Sequence, residues 1–380
     1  MPRSKTPTET PAPPAARGYR MPAEWEPHAA TWLSWPRREG ISFPGKGAYD
    51  KAVIAIAKMV HALADSEPVN INVCDAAHEA DVRKILAKTC AKTTHVTFHH
   101  IAINEPWCRD HGPIFVTRAE APKMLVLDWG YNAWGFKYPP FDDDDYVPTA
   151  VAEKLTLPVE YPGMILEGGS IDVNGEGLLL TTRSCLLNPN RNPDLKQCKI
   201  EQRLRDFLGV KEIFWLGDGI EGDDTDGHVD DIARFVSADT IVCACEEDED
   251  DPNFEPLKAN HDYLAGIKMD ALHDEDETQA ELEEELADGD DGLPARFQIF
   301  KLPMPRKIAR DGQRLPATYA NFYIGNKVVL LPAFADVNDR WASAILEKAF
   351  PGRKVVPIDC RELIWGLGAF HCLTQQQPAV

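Results

Sequence analysis

GPIFVTRAEAPKMLVLD (Gly112–Asp128), GSIDVNGEGLLLTT (Gly169–Thr182), IARFVSADTIVCA (Ile232–Ala244) and NFYIGNKVVLLP (Asn321–Pro332) follow one plan. A polar cluster leads into a short apolar strand, a turn and a second apolar strand, which is the pattern of a hairpin. AFHCLTQQQP (Ala369–Pro378) begins a fifth copy and stops before its second strand. Helical patterns lie between copies, at Lys196–Leu208 (Ile200, Leu204, Phe207, Leu208) and Asp339–Phe350 (Trp341, Ile345, Leu346, Ala349). Upstream, Ala48–Ala64 has helical spacing through Val53, Ile54, Ile56, Ala57, Val60, Leu63 and Ala64. Val69–Cys74 then reads as a strand and Ala77–Thr89 as a helix with Val82, Ile85 and Leu86 on one face. A unit recurring at intervals of about 50 residues or more indicates a repeat architecture. Strands alternating with helices make it mixed α/β. Ala29–Trp35 is a strand without a partner; pairing it with the incomplete last unit would close a ring and remove exposed edges. The reading is a closed five-bladed α/β propeller. Periodicity alone leaves an ordinary open α/β sheet as the alternative.

Residues 1–18 contain five prolines among Ser, Thr and Ala and read as a disordered tail; residues 19–380 read as one domain. The chain has 380 residues with 40 Lys and Arg against 61 Asp and Glu, a net charge of −21. The excess is local: Asp142–Asp145, Glu246–Asp251 and Asp274–Asp291 carry 21 acids. Such runs read as solvated loops, and residues 246–296 as an acidic surface insertion. Phosphate backbones would be repelled, which excludes nucleic acid, whereas a small cation would be attracted. No stretch is apolar enough for a membrane span, and no secretory signal is evident, so a cytoplasmic protein is expected. Nine cysteines without a CxxC pair fit reduced thiols rather than a disulfide framework or zinc ribbon. A homo-oligomer is compatible with all of this.

Four segments carry more reactive residues than structure requires. Asn104–Pro113 (NEPWCRDHGP) sets Trp107, Arg109 and Asp110 before a hairpin. Asp110 suits a planar cation with Trp107 packed over it, or Arg109 and Asp110 are merely an exposed ion pair. Met164–Val173 (MILEGGSIDV) carries Glu167 ahead of two glycines that let backbone approach a ligand. Gly222–Asp231 (GDDTDGHVDD) resembles a metal site, yet the calcium-loop pattern fails at its first and twelfth positions. In an extended segment His228 and Asp230 would share one face, an imidazole beside a carboxylate. A hard-cation site built from the aspartates stays open. Gly366–Pro378 (GLGAFHCLTQQQP) places Cys372 in a short strand after a glycine-broken loop, with His371 facing the opposite way. One Cys, one His and several carboxylates, each in a like position of a different repeat, are the parts for thiolate attack on a guanidinium carbon.

These residues resemble the agmatine deiminase and bacterial-type peptidylarginine deiminase family of the guanidine-modifying (pentein) superfamily. The marks are GYRMPAEWEPHAATWLSWP from Gly18, W-x-R-D-x-G-P at Trp107–Pro113 and GYNAW at Gly130–Trp134. EGGSIDVNGEG from Glu167, LLNPNRNP from Leu186, DTDGHVDD from Asp224, NFYIGN from Asn321 and HCLTQQQPA from His371 complete the set. The resemblance implies a five-bladed α/β propeller, Cys372 as nucleophile and His228 as general acid/base. It implies Asp110, Glu167 and Asp230 as the carboxylates around a small guanidino cation, with no metal or organic cofactor. There are departures: GLGAFHC where these enzymes usually read GGGNIHC, Asp172 for a His, Asp226 for an Asn, and Phe136 for a Gly. The implied activity is hydrolysis of agmatine to N-carbamoylputrescine, on the route to putrescine. Peptidylarginine or free arginine is the alternative substrate. From another class, a non-catalytic acidic metal-binding or interaction protein is the alternative. In the four segments Arg109 is the only Arg and no Lys appears, which favours a dication, although Arg191 or Arg37 could reach in from outside.

Overall fold

Each complete repeat folds as an antiparallel hairpin followed, after a helical crossover, by a parallel third strand. Parallel neighbours need such a crossover, which is why helical patterns alternate with the hairpins. The computed structural model describes residues 12–89, 93–268 and 296–380. Ile114–Thr117 pairs with Met124–Leu127, and helix Val147–Leu155 leads to Val159–Glu160. Ile171–Val173 pairs with Leu178–Thr182, and helix Gln197–Leu208 leads to Glu212–Leu216. Ala233–Phe235 pairs with Thr240–Cys245, then helix Phe254–Gly266 and Gln298–Pro303 follow. Tyr323–Ile324 pairs with Val328–Ala333, then helix Asp339–Ala349 and Lys354–Asp359.

The fifth sheet joins the two ends of the chain. Thr374–Pro378 lies antiparallel to His28–Ser34, with His28 opposite Pro378 and Leu33 opposite Thr374. Helix Ala48–Ala64 then crosses to Val69–Val73, and helix Ala76–Lys88 to Val96–His100. The expected pairing of first and last strands is therefore present. Among the described residues there are five sheets of three or four strands and a two-stranded ribbon, Ala309–Arg310 with Gln313–Arg314; no single sheet closes on itself. No described helix is long and apolar enough to cross a membrane.

Helix Ala48–Ala64 shows how the core forms. Ile56, Met59, Val60 and Leu63 are at most 2% exposed, and each such side chain contributes about 1.5–3 kcal/mol on burial. Two apolar residues assigned to helix faces point outward: Ile54 is 45% and Trp341 55% exposed. Each falls on the side of its helix away from the buried stripe.

Three readings from composition need correction. Residues 12–18 are part of the fold rather than the tail: Ala15–Arg17 is a 3-10 turn, and Arg118 Nη1 donates to Arg17 O at 2.9 Å. Part of the 246–296 insertion is the regular crossover Phe254–Gly266, which buries Leu257 and Leu264. Its acidic flank masks the helical spacing. Asp274–Asp291 and residues 1–11 lie outside the described residues. Asp142–Asp145 is not simply a solvated run: Asp144 is 1% exposed and accepts from the backbone N–H of Asn104 (2.7 Å) and Glu105 (3.1 Å).

Candidate active site

The turns that lead into the first strands of the five sheets meet at one place. Cys108–His111 carries Asp110, Gly168–Ser170 follows Glu167, and Val229–Asp231 follows His228 and contains Asp230. Phe370–Leu373 carries Cys372, and Asn321 precedes Tyr323–Ile324. Asp110 accepts from Gly169 N at 3.1 Å and Trp134 Nε1 at 3.0 Å, and its Oδ1 lies 3.6 Å from His228 Nδ1. A β-carbon on Gly169 would lie 2.6 Å from His228 Nδ1 and 2.7 Å from Asp110 Oδ1, so only glycine lets these groups converge. The Cys372 thiol donates to Asp230 Oδ2 at 3.8 Å.

Asp110 and Cys372 line a cavity of about 280 Å³ walled by Trp107, Trp134 and Leu367. Trp107 Nε1 donates to Ser42 Oγ at 2.9 Å, and Ser42 N donates to Glu105 Oε2 at 3.1 Å. The indole edge lies against Gly366 and Gly368, where a β-carbon would come within 2.8 and 2.7 Å of it. His228, Glu167 and Asp230 are fully buried behind that floor.

Burial, with the Asp230 and Glu167 carboxylates adding to it and the His228 charge opposing, raises Asp110 to about 6. Burial also disfavours a charge on His228, but the Asp110 carboxylate overrides it and holds the imidazolium well above its ordinary range. The Cys372 thiol is pushed well above the normal thiol range by burial and then by Asp230, Asp231 and Asp110. The resting pair is thus a neutral thiol and a charged imidazole.

All six residues singled out from sequence gather here, but Glu167 is not free for a ligand on both oxygens. Its Oε1 accepts from Arg191 Nε at 2.6 Å, a pair in which both side chains are fully buried. Asp110 is not ion-paired to Arg109, which instead reaches Glu24 (3.0 Å) and Gln376 (2.8 Å). His371 does not face away. It shares a helical turn with Cys372, so strand alternation does not apply, and it bridges Asp230 (2.6 Å) and Glu24 (2.8 Å). His228 and Asp230 likewise meet through a 3-10 turn rather than an extended face. Glu24 and Asn321 escaped the sequence reading, though both stand inside the quoted motifs. Glu167, Cys185 and His228 offer metal-type donors within 4.8 Å of one another, but the Arg191 guanidinium already supplies positive charge at Glu167.

A family model of Porphyromonas-type peptidyl-arginine deiminases matches residues 20–273 and 266–378. The chain belongs to this family. It is 37% identical over 396 residues to an agmatine deiminase of Pseudomonas aeruginosa, covering 98% of each chain. The solved agmatine deiminase of Enterococcus faecalis superposes with a TM-score of 0.83 at 31% identity, covering 97% of this chain and 98% of the other. A Cys-to-Ser agmatine deiminase of C. jejuni with substrate bound gives 0.79 at 28% identity, covering 94% and 96%.

Within this Porphyromonas-type family member, the departures in sequence have visible consequences. Asp172 pairs with Arg234 Nε and accepts from Phe235 N at 2.9 Å. Asp226 pairs with Lys137 at 2.9 Å and accepts from Asn190 Nδ2 at 2.9 Å. Leu367 takes a left-handed φ of 70°, a conformation costly for a residue with a β-carbon, and adds an apolar side chain to the cavity wall.

Proposed function

We propose that this protein hydrolyses agmatine to N-carbamoylputrescine and ammonia through a covalent bond to Cys372. The observation that carries the reading is a pair of buried carboxylate oxygens left without a hydrogen bond, Asp230 Oδ1 and Glu167 Oε2. Buried polar groups are almost always satisfied, so this group calls for a ligand that brings N–H donors. A guanidinium is planar and carries five of them. Relatives named agmatine deiminases at 31–37% identity point to the same chemistry. The five sheets we read as blades around the site, which would place their leading turns at one centre.

The substrate cation settles against Asp110 and Asp230, and its charge offsets the carboxylates that hold the Cys372 thiol neutral. The thiol's proton leaves for solvent as the cation binds. Sulfur attacks the guanidinium carbon, charged His228 protonates the departing nitrogen, and ammonia leaves a thiouronium behind. Water gives one proton to neutral His228 and adds to the carbon. The C–S bond then breaks, the second water proton restores the thiol, and ammonia takes up a proton from solvent as ammonium. No step asks for a metal or an organic cofactor.

One observation favours an arginine-type substrate instead: Arg310 stands at the cavity wall and could meet an α-carboxylate. Its charge is, however, paired with Glu362 at 3.1 Å and stacked 3.4 Å from the Trp365 ring centre, whereas Asp224 and Asp311 share that wall. Agmatine, with an ammonium and no carboxylate, fits the balance better. Ammonia release should be measured across agmatine, arginine and an arginyl peptide, with Cys372→Ser as control. Equal specificity constants for arginine and agmatine would overturn the substrate; ammonia release that survives in Cys372→Ser would overturn the chemistry.

A further inference from the structure

Asn321 ends the turn leading into the Tyr323–Ile324 strand and is 1% exposed. Its amide is locked in orientation by its neighbours. Two backbone donors, Ala369 N at 3.2 Å and Cys372 N at 3.3 Å, converge on one end, which must therefore be Oδ1. The other end faces acceptors: Asp231 Oδ1 at 3.0 Å, Asp230 Oδ2 at 3.2 Å and Cys372 Sγ at 3.0 Å. One side chain thus fixes the backbone of the nucleophile and aims an N–H at its sulfur.

We propose that Asn321 is a positioning residue that keeps the Cys372 thiolate within reach of physiological pH by donating a hydrogen bond to it. The surroundings explain the need. Asp230 and Asp231 stand on one side of the sulfur and Asp110 on another, all of them opposing a second negative charge. The positive groups nearby are committed elsewhere: His371 to Asp230 and Glu24, and Arg109 to Glu24. His228 is directed at Asp110. Asn321 donates from its side chain to the sulfur at 3.0 Å, and the Ala369 backbone N–H adds a smaller contribution in the same direction. A donor to a charged acceptor stabilises it far more than a donor to a neutral one. Removing it should lower the thiolate fraction about ten- to a hundredfold. A more basic thiolate is intrinsically more reactive, so the alkylation rate at fixed pH should fall only about three- to tenfold.

The inference rests on Cys372 being the nucleophile, and its test reads the thiol directly. Iodoacetamide modification of Cys372 would be followed by peptide mass spectrometry between pH 7 and 10 in the parent, Asn321→Asp and Asn321→Ala proteins, without substrate. Exposed Cys198 is the internal reference. Asn321→Asp keeps shape and the Oδ1 acceptor but replaces the donor with a carboxylate; Asn321→Ala removes both ends. The expected order of Cys372 rates relative to Cys198 is parent, then Asn321→Ala, then Asn321→Asp, the slowest. A purely structural role would let the Ala variant, with its wider access, react as fast as the parent or faster, and that result overturns the proposal. The Asp variant sets a new carboxylate beside the sulfur and gauges how strongly the thiol responds to charge at this position; labelling at the parent rate there also overturns the proposal. If Asn321→Asp fails to fold, Asn321→Ala decides alone: slower labelling supports the donor role and equal or faster labelling refutes it. Failure of the deiminase reading would show separately, as an absence of ammonia release in the parent protein.

Discussion

Trp134→Phe offers a sharp test of the electrostatics, because it removes one atom's interaction with Asp110 while keeping an aromatic wall. The indole Nε1 donates to Asp110 Oδ2 at 3.0 Å and so favours the carboxylate over the acid. Burial comes first in holding this group up at about 6, and the substrate cation needs it ionised. Protonation of Asp110 should therefore cost the parent enzyme about elevenfold in kcat/KM at pH 5, over and above the slope that ionisation of the Cys372 thiol imposes on both proteins. A hydrogen bond to a charged acceptor stabilises it by roughly 1.5–3 kcal/mol, so its loss should raise the midpoint by about one to two pH units. The variant would then lose roughly two- to tenfold of its specificity constant at pH 7 and little of it at pH 9. Ammonia release from agmatine, measured as kcat/KM from pH 5 to 9, reads both limbs. An acid limb that keeps its parent midpoint and is merely scaled down would refute the reasoning and reduce Trp134 to packing.

Three further outcomes are expected. Arg191→Met leaves the fully buried Glu167 unpaired, which should cost about 3–5 kcal/mol; thermal unfolding should drop by roughly 4–6 °C, and adding Glu167→Gln should recover much of it. Burial holds the Asp144 carboxyl up at about 8, so it carries a proton at neutral pH and Asp144→Asn should keep near-parental activity. Asp144→Ala, by contrast, leaves the N–H groups of Asn104 and Glu105 without an acceptor and should raise KM more than it lowers kcat by loosening the Trp107 wall. Dialysis against EDTA should leave turnover unchanged, and activity lost to the chelator and regained with metal would show that the Glu167, Cys185 and His228 donors hold an ion after all.

Much of the fold was legible because its units are short and repeat. The hairpin at Gly169–Thr182 can be read from turn glycines between two apolar runs, and the same pattern recurs four times with helices between. What the sequence obscured followed from charge and from long-range partners. The crossover Phe254–Gly266, which buries Leu257 and Leu264, sits between acidic runs, so the whole stretch read as a solvated insertion. Asp144 looked exposed because three acids flank it, yet its acceptors are spent on backbone donors 39 and 40 residues away. At the site, reactive types stood out where a turn precedes a strand, which found Cys372, His228 and Asp110. Asn321 and Glu24 have no such signal: an amide and a carboxylate in an apolar motif acquire meaning only once Cys372 or His371 is beside them. Local period also misled about direction, since His371 and Cys372 occupy a helical turn that ends just before the strand begins.

The pairing of His28–Ser34 with Thr374–Pro378 has a consequence for how activity is gained and lost. Residues about 350 positions apart must find one another, a closure that is entropically unfavourable and late by the logic of sequence separation. Cys372 stands two residues before that seam and is the last of the site residues to be synthesised. On the proposed chemistry, a ribosome-bound chain that already holds Asp110, Glu167 and His228 would be silent, and so would a chain whose seam has frayed while its other sheets persist. Turnover in this enzyme would be a readout of completed folding, failing on gentle heating or dilute denaturant before the bulk of its secondary structure melts.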